Sequence, residues 1–234
     1  VYLQVKAEPH IYYELADQFT FEVPGAKFMP QYRSKHWDGK IRLFNTQTGE
    51  IYVGLLDKLI QFCKNHDYTY EFVDNKFYGL PFETNDQISK EGVKDYMTAI
   101  SKYAPREYQI EGVYDALKHN RRLLISPTAS GKSLMIYSVV RYYVEKGQNI
   151  LIVVPTTSLV EQMYKDFADY GWDVGSYCHK IYAGRERETN SQVIITTWQS
   201  IYKLPRKYFA RFNVVVGDEA HQFKSKSLIS IMSK

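Results

Sequence analysis

Leu123-Leu124-Ile125-Ser126-Pro127-Thr128-Ala129-Ser130-Gly131-Lys132-Ser133 is the stretch on which the reading of the chain turns. A short apolar run with β character ends at Ser126-Pro127, a loop of small residues follows, and Gly-Lys-Ser closes it. From Leu134 the apolar residues Ile136, Val139, Val140, Tyr143 and Val144 recur at helical spacing. Strand, small-residue loop and helix form the context of a phosphate-binding loop. The backbone N–H groups of Thr128, Ala129, Ser130 and Gly131 would wrap phosphates at a helix N-terminus. Lys132 would reach the β- and γ-phosphates, and the Ser133 hydroxyl would sit on Mg²⁺. One residue departs from G-x-x-x-x-G-K-[ST]: Ser126 stands where the first Gly belongs. Alone, the loop could be an ordinary strand-to-helix turn.

A second stretch, Arg211-Phe-Asn-Val-Val-Val-Gly-Asp-Glu-Ala-His221, changes the balance. It is a buried-type strand followed at once by two carboxylates. Asp218, 86 residues after Lys132 (218 − 132), could hold Mg²⁺ directly or through water. Glu219 could orient and deprotonate an attacking water. An acidic turn alone would be unremarkable; paired with the loop it is what a nucleotide hydrolase requires. Asp-Glu-Ala-His also resembles motif II of the superfamily 2 helicases, and residues 126–133 resemble their motif I.

The 234 residues suffice for one large domain or two small ones, and 44% hydrophobic with 24% charged residues describes a globular chain. No apolar run reaches membrane-spanning length and no leader precedes Val1, which is not a start Met. Cys63 and Cys178 form no metal or disulfide pattern, so a reduced, cytoplasmic setting is expected. The net charge of +4 is uneven. Residues 1–100 carry 11 Lys and Arg against 14 Asp and Glu, net −3, while residues 101–234 carry 19 against 12, net +7. The second part suits a polyanion.

Residues 1–73 predict a small α+β unit: a helix over 12–19, strands over 21–23, 40–44 and 51–53, a helix over 55–63, and an alternating strand over 68–73. Residues 74–104 read as a connection with a helix over 90–100, and the domains are drawn as 1–90 and 91–234. Beyond it, helices over 106–118, 132–146, 158–170 and 228–232 alternate with strands over 122–125, 150–154, 177–182, 192–196 and 212–216. That alternation predicts a parallel α/β sheet.

Between Lys27 and Arg42 lie Lys27, Arg33, Lys35, Lys40 and Arg42 against Asp38 alone, interleaved with Tyr32, His36 and Trp37. Cations could meet phosphates while the aromatics stack on bases. Equally, Trp37 could be core and the cations a solvated rim. Trp37-Asp38-Gly39-x-x-x-Leu43 resembles the small N-terminal domain of the UvsW-like phage superfamily 2 DNA helicases, which implies DNA contact through Arg33, Lys35, Trp37, Lys40 and Arg42.

The remaining motifs fall in that family's order. Pro105-Arg106-Glu107-Tyr108-Gln109, with Gln109 23 residues before Lys132, resembles the Q motif. A Gln amide can donate to and accept from adenine, and Arg106 could stack on the ring. Residues 154–162, with Thr156 and Thr157, match motif Ia, and residues 195–200, with Thr197, match the Ib region. Both place hydroxyls and N–H groups where a DNA phosphate could bind, although simple N-capping would use the same residues. The resemblance implies a RecA-like P-loop domain behind a small α+β domain, with His221 joining the nucleotide site. It implies Mg²⁺-dependent ATP hydrolysis driving a helicase on branched or duplex DNA, in recombination and repair. No second RecA-like domain is present in these residues, so weak nucleotide binding and no unwinding are expected of them. The rival readings are a duplex translocase, such as a restriction-enzyme motor subunit, and a non-enzymatic nucleic-acid-binding module. Protein partners are left open.

Overall fold

The computed structural model describes residues 2–73, 85–119, 121–127, 129–182 and 189–219. Expectations for Thr128, His221, residues 74–84 and a helix over 228–232 fall outside them. The chain divides into two units, Val1–Phe82 and Glu83–Lys234.

In the first unit, strand β1 (Tyr2–Gln4) precedes helix α1 (Pro9–Gln18). Pro9 starts that helix because its fixed φ suits a position whose N–H needs no partner. Strand β2 (Thr20–Glu22), short helix α2 (Pro30–Arg33) and strand β3 (Lys40–Arg42) follow, with Phe21 opposite Ile41 in an antiparallel pair. Strands β4 (Phe44–Asn45) and β5 (Glu50–Tyr52) complete a second antiparallel sheet of order β1-β5-β4. Helix α3 (Leu56–Asn65) presents Phe62 to a core of Leu15, Phe19, Phe44 and Ile51. The single strand expected over 40–44 thus breaks at Leu43, and its halves serve two sheets.

The strand expected over 68–73 does not form. Tyr68 folds back onto α3, its ring 6.1 Å from Phe62 and its hydroxyl donating to Glu14 at 2.9 Å. Tyr70 and Phe72 are half-exposed, their rings 5.8 Å apart. Alternating aromatics give the strand pattern, but no ladder partner lies beside them among the described residues.

The second unit begins with helix α4 (Lys90–Ile100), whose N-cap Ser89 hydroxyl accepts from the Gly92 N–H at 3.1 Å. Helices α5 (Glu107–Lys118) and α6 (Lys132–Glu145) follow. Strand β6 (Ile150–Val154), helices α7 (Thr157–Asp169) and α8 (Val174–Tyr177), and strands β7 (Cys178–Ile181) and β8 (Val193–Thr197) come next. Helices α9 (Trp198–Ile201) and α10 (Arg206–Phe209) lead to strand β9 (Val214–Gly217). The four strands are parallel in the order β7-β8-β6-β9, with Ile152 between Ile195 and Val216.

Both faces of this sheet are covered, which is why β6 is a continuous apolar run instead of an alternating one. Ile150, Ile152 and Val154 pack with α4 to α7 residues such as Met97, Val113, Val140 and Phe167. Leu151 and Val153 face the other way, onto Ile201 and Phe209. Each such fully buried side chain contributes about 1.5–3 kcal/mol relative to exposure.

The strand expected over 122–125 is absent. Leu123 and Ile125 are 69% and 93% exposed, and Val215 on the outer edge of β9 is 43% exposed. Among the described residues β9 pairs with β6 only, and nothing pairs with 121–127. The sequence has strand propensity there, but the backbone lacks a neighbour to form a ladder with. No described helix is long and apolar enough to cross a membrane.

Candidate functional site

The loop before α6 is shaped by two left-handed residues. Ala129 has φ 62° and Gly131, the N-cap of α6, has φ 76°. Left-handed residues so placed can turn neighbouring N–H groups toward one side, the arrangement of an anion-binding nest. At Gly131 a side chain is strained by φ 76°, and a Cβ would lie 2.4 Å from Gln109 Nε2, which would have to move.

Ser130, between these two, is 8% exposed and held from three directions. Its carbonyl accepts from the Tyr108 hydroxyl at 2.7 Å and from Gln109 Nε2 at 3.0 Å. Its hydroxyl lies 2.5 Å from that of Ser126, and its N–H donates to the Pro127 carbonyl at 3.3 Å. The residue that breaks the motif is therefore engaged in closing the loop.

Lys132 is the first residue of α6, and its Nζ lies 3.6 Å from Glu219 Oε1. Both side chains are about one-third exposed. Glu219, with φ 54°, and Asp218 follow directly on β9, and the Asp218 N–H donates to the Val153 carbonyl at 3.0 Å. Asp218 Oδ1 accepts from the Glu219 N–H at 2.9 Å. Lys132 and Glu219, far apart in sequence, thus meet at the carboxyl end of the sheet, the ligand-binding end of open parallel folds. Burial pushes the Tyr170 phenol up to about 12, and the Ser133 hydroxyl beside it pulls the other way.

Gln109 departs from the sequence expectation. It is 5% exposed, its Oε1 accepts from the Arg106 N–H at 2.8 Å, and its Nε2 donates to the loop. The amide that was to read a base is occupied within the protein. Arg106 itself is exposed, with Nη1 3.2 Å from the Tyr108 hydroxyl. Tyr108 was missed; the available signal was its place beside Gln109 in the first turn of α5.

The two junction motifs differ. Thr156 and Thr157 are exposed at the end of β6, where the Thr156 hydroxyl caps α7 by accepting from the Leu159 N–H at 3.3 Å. Thr197 is only 4% exposed, and its hydroxyl lies 2.9 Å from that of Ser200. Its side chain is directed into the fold and not toward a passing phosphate.

In the first unit, Trp37-Asp38-Gly39 builds a turn. Trp37 is half-buried and its Nε1 donates to the Lys40 carbonyl at 2.8 Å. Asp38 grips Arg42 through both oxygens, at 3.2 and 2.5 Å, and that guanidinium holds the Asp38 carboxyl down to about 2. Lys40 lies 3.7 Å from Glu22. Arg33 and Lys35 are exposed beside Phe28 and Tyr32, and a surface cavity of about 570 Å³ is lined by Pro30, Gln31, Ser34, His36 and Trp37. Burial raises both thiols, Cys63 and Cys178, the latter to about 12.

Residues 1–74 match the family model of the DNA helicase UvsW N-terminal domain, and residues 102–234 match that of the type III restriction enzyme res subunit. The ATP-dependent DNA helicase uvsW of Enterobacteria phage T4 is 32% identical over 99% of this chain, which spans 47% of that protein. The DNA 3'-5' translocase XPB2 of Sulfurisphaera tokodaii is 30% identical over 55% of this chain and 27% of its own length. The chain therefore covers less than half the length of these curated relatives. Two crystal structures of bacteriophage T4 UvsW superpose with TM-scores of 0.79. Their identities are 31% and 32%, and they cover 99% of this chain and 84% or 48% of theirs.

Proposed function

The chain belongs to the family of UvsW DNA helicases, its larger unit carrying the domain of the type III restriction enzyme res subunit, and on that footing we propose that it binds and helps hydrolyse ATP to drive a superfamily 2 motor on branched DNA. Holliday junctions, forks and R-loops are the substrates proposed, in recombination and repair within the cytoplasm of the cell where the protein is made. The observation that carries the reading is the meeting of Lys132 and Glu219, 3.6 Å apart, beside a loop with two left-handed residues.

Lys132 would exchange its resting partner for the β- and γ-phosphates. Glu219, released from that pair, would take a proton from the attacking water. Ser133 and Asp218 offer the hydroxyl and carboxylate oxygens that suit a hard cation, and Mg²⁺ held there would neutralise charge on the phosphates. Arg106, exposed above the loop, is the group left to stack on the base. The exposed N–H groups and hydroxyls at Thr156 and Thr157 would bind DNA backbone without reading sequence. Arg33 and Lys35, with weaker contributions from Lys40 and Arg42, would do so from the first unit, because exposed ion pairs such as Arg42–Asp38 are worth only about 0–1 kcal/mol and yield to phosphate.

The test uses full-length protein and a labelled junction. Glu219→Gln is expected to bind ATP and DNA while turnover falls about a hundredfold or more. Normal turnover would remove Glu219 from this role. A second reading, translocation along duplex without strand separation, is favoured by the match to XPB2 over 55% of the chain. Strand displacement measured beside triplex displacement separates the two.

A further inference from the structure

We infer that Ser126 and Tyr108 are positioning residues of the phosphate loop, holding Ser130 so that the loop keeps its anion-binding shape before any ligand arrives. The inference rests on the nucleotide reading above and adds the means by which the site is preformed.

A left-handed non-glycine residue such as Ala129 (φ 62°) persists only where its surroundings over-determine it. Ser130 supplies that constraint. Its carbonyl, N–H and hydroxyl are all bonded, to Tyr108 and Gln109, to Pro127, and to Ser126. The carbonyl contacts come from two successive residues at the start of α5, so the loop is tied to a helix that packs on the core through Ile110 and Val113. The hydroxyl contact comes from the position where the usual motif has Gly. A glycine there has no side chain to bridge the loop; the Ser126 hydroxyl spans its neck. With the carbonyl of Ser130 turned toward α5, the N–H groups of Gly131 and Lys132 that follow it would face a phosphate. Because Gln109 Nε2 also approaches the Gly131 carbonyl at 3.4 Å, the helix start and the loop form one unit around the phosphate position.

The device acts on phosphates and not on the base, and this gives it a distinctive signature. Calorimetric titration of the full-length protein with Mg-ATP, Mg-GTP, ADP and AMP is the experiment, on wild type, Ser126→Ala, Ser126→Gly, Ser126→Thr and Tyr108→Phe. Loss of one hydrogen bond that preorganises the loop predicts a fall in ATP affinity of about threefold to tenfold for Ser126→Ala and Tyr108→Phe. Ser126→Gly should fall with Ser126→Ala although it restores the usual motif residue, and Ser126→Thr, which keeps the hydroxyl, should bind like wild type. ATP and GTP should lose the same factor, and the loss should shrink from ATP to ADP to AMP. Wild-type ATP affinity in Ser126→Ala and Tyr108→Phe would overturn the inference, as would equal losses for ATP and AMP. A full-length wild type that binds none of the nucleotides would overturn the proposed function together with it.

Discussion

Two turns in this molecule are each built around a left-handed glycine, and they use their side chains in opposite ways. At Trp37-Asp38-Gly39 the indole N–H caps a backbone carbonyl, the carboxylate grips Arg42, and Gly39 (φ 80°) lets the chain pass beside Ala26 and Tyr32. Every recognisable residue of that motif serves the fold. In the phosphate loop, the less recognisable residues Ser126, Ser130 and Tyr108 do the holding. Among the described residues, Lys132 is left with an exchangeable contact to Glu219 at 3.6 Å.

The same substitution in both turns is the strongest test of that contrast. Gly131→Ala puts a Cβ 2.4 Å from Gln109 Nε2 at φ 76°. It should abolish measurable ATP binding and cost about 1–3 kcal/mol of stability in the second unit. Gly39→Ala puts a Cβ 3.0 Å from Ala26 Cβ and 3.1 Å from the Tyr32 ring. It should cost a similar stability, about 1–3 kcal/mol, in the first unit and leave ATP affinity unchanged. Thermal melts and ATP titrations of both variants read this out, and a Gly39→Ala protein with normal melting but impaired ATP binding would break the comparison.

A smaller effect is expected from the cations around the first turn. Replacing Lys27, Arg33 and Lys35 with Ala should lower junction affinity uniformly across sequences and flatten the salt dependence by up to about three units. Folding, followed by circular dichroism, should not change. A triple variant with wild-type affinity and slope would return DNA contact to the second unit alone.

The smallest effect is that of pH on Asp38. Its carboxyl is held to about 2 chiefly by Arg42 and then by the Lys40 N–H. A depressed folded pKa stabilises above the unfolded value near 4 and loses that contribution as pH falls toward 2. Melts between pH 5 and pH 2 should therefore show a loss that Asp38→Asn lacks. The difference is small because the pair is about half exposed.

The motor fold was legible because its signals are local and redundant. An all-apolar β6, an α6 that starts at a left-handed Gly131, an α7 capped by Thr156, and two carboxylates after β9 each constrain the chain independently. What could not be read depends on neighbours. Propensity marks 122–125 and 68–73 as strands, but a strand exists only where another backbone pairs with it. The Gln109 amide has the right chemistry for adenine, yet its direction is set by the Ser130 carbonyl, which no spacing rule locates. Thr197 matched a junction motif, and its burial followed from packing beneath α9. Ser126 looked like a defect because its partner, Ser130, lies across a loop whose conformation the sequence does not state.

The most direct test of the central claim, that Lys132 rests on Glu219 until phosphate replaces it, is a side-by-side titration of Mg-ATP into wild type, Lys132→Ala and Glu219→Gln. Losing the charged donor should weaken binding at least about tenfold in Lys132→Ala. Glu219→Gln, which removes the competing resting partner, should bind at least as tightly as wild type. Undiminished ATP binding by Lys132→Ala, or a loss in Glu219→Gln as large as in Lys132→Ala, would contradict the account.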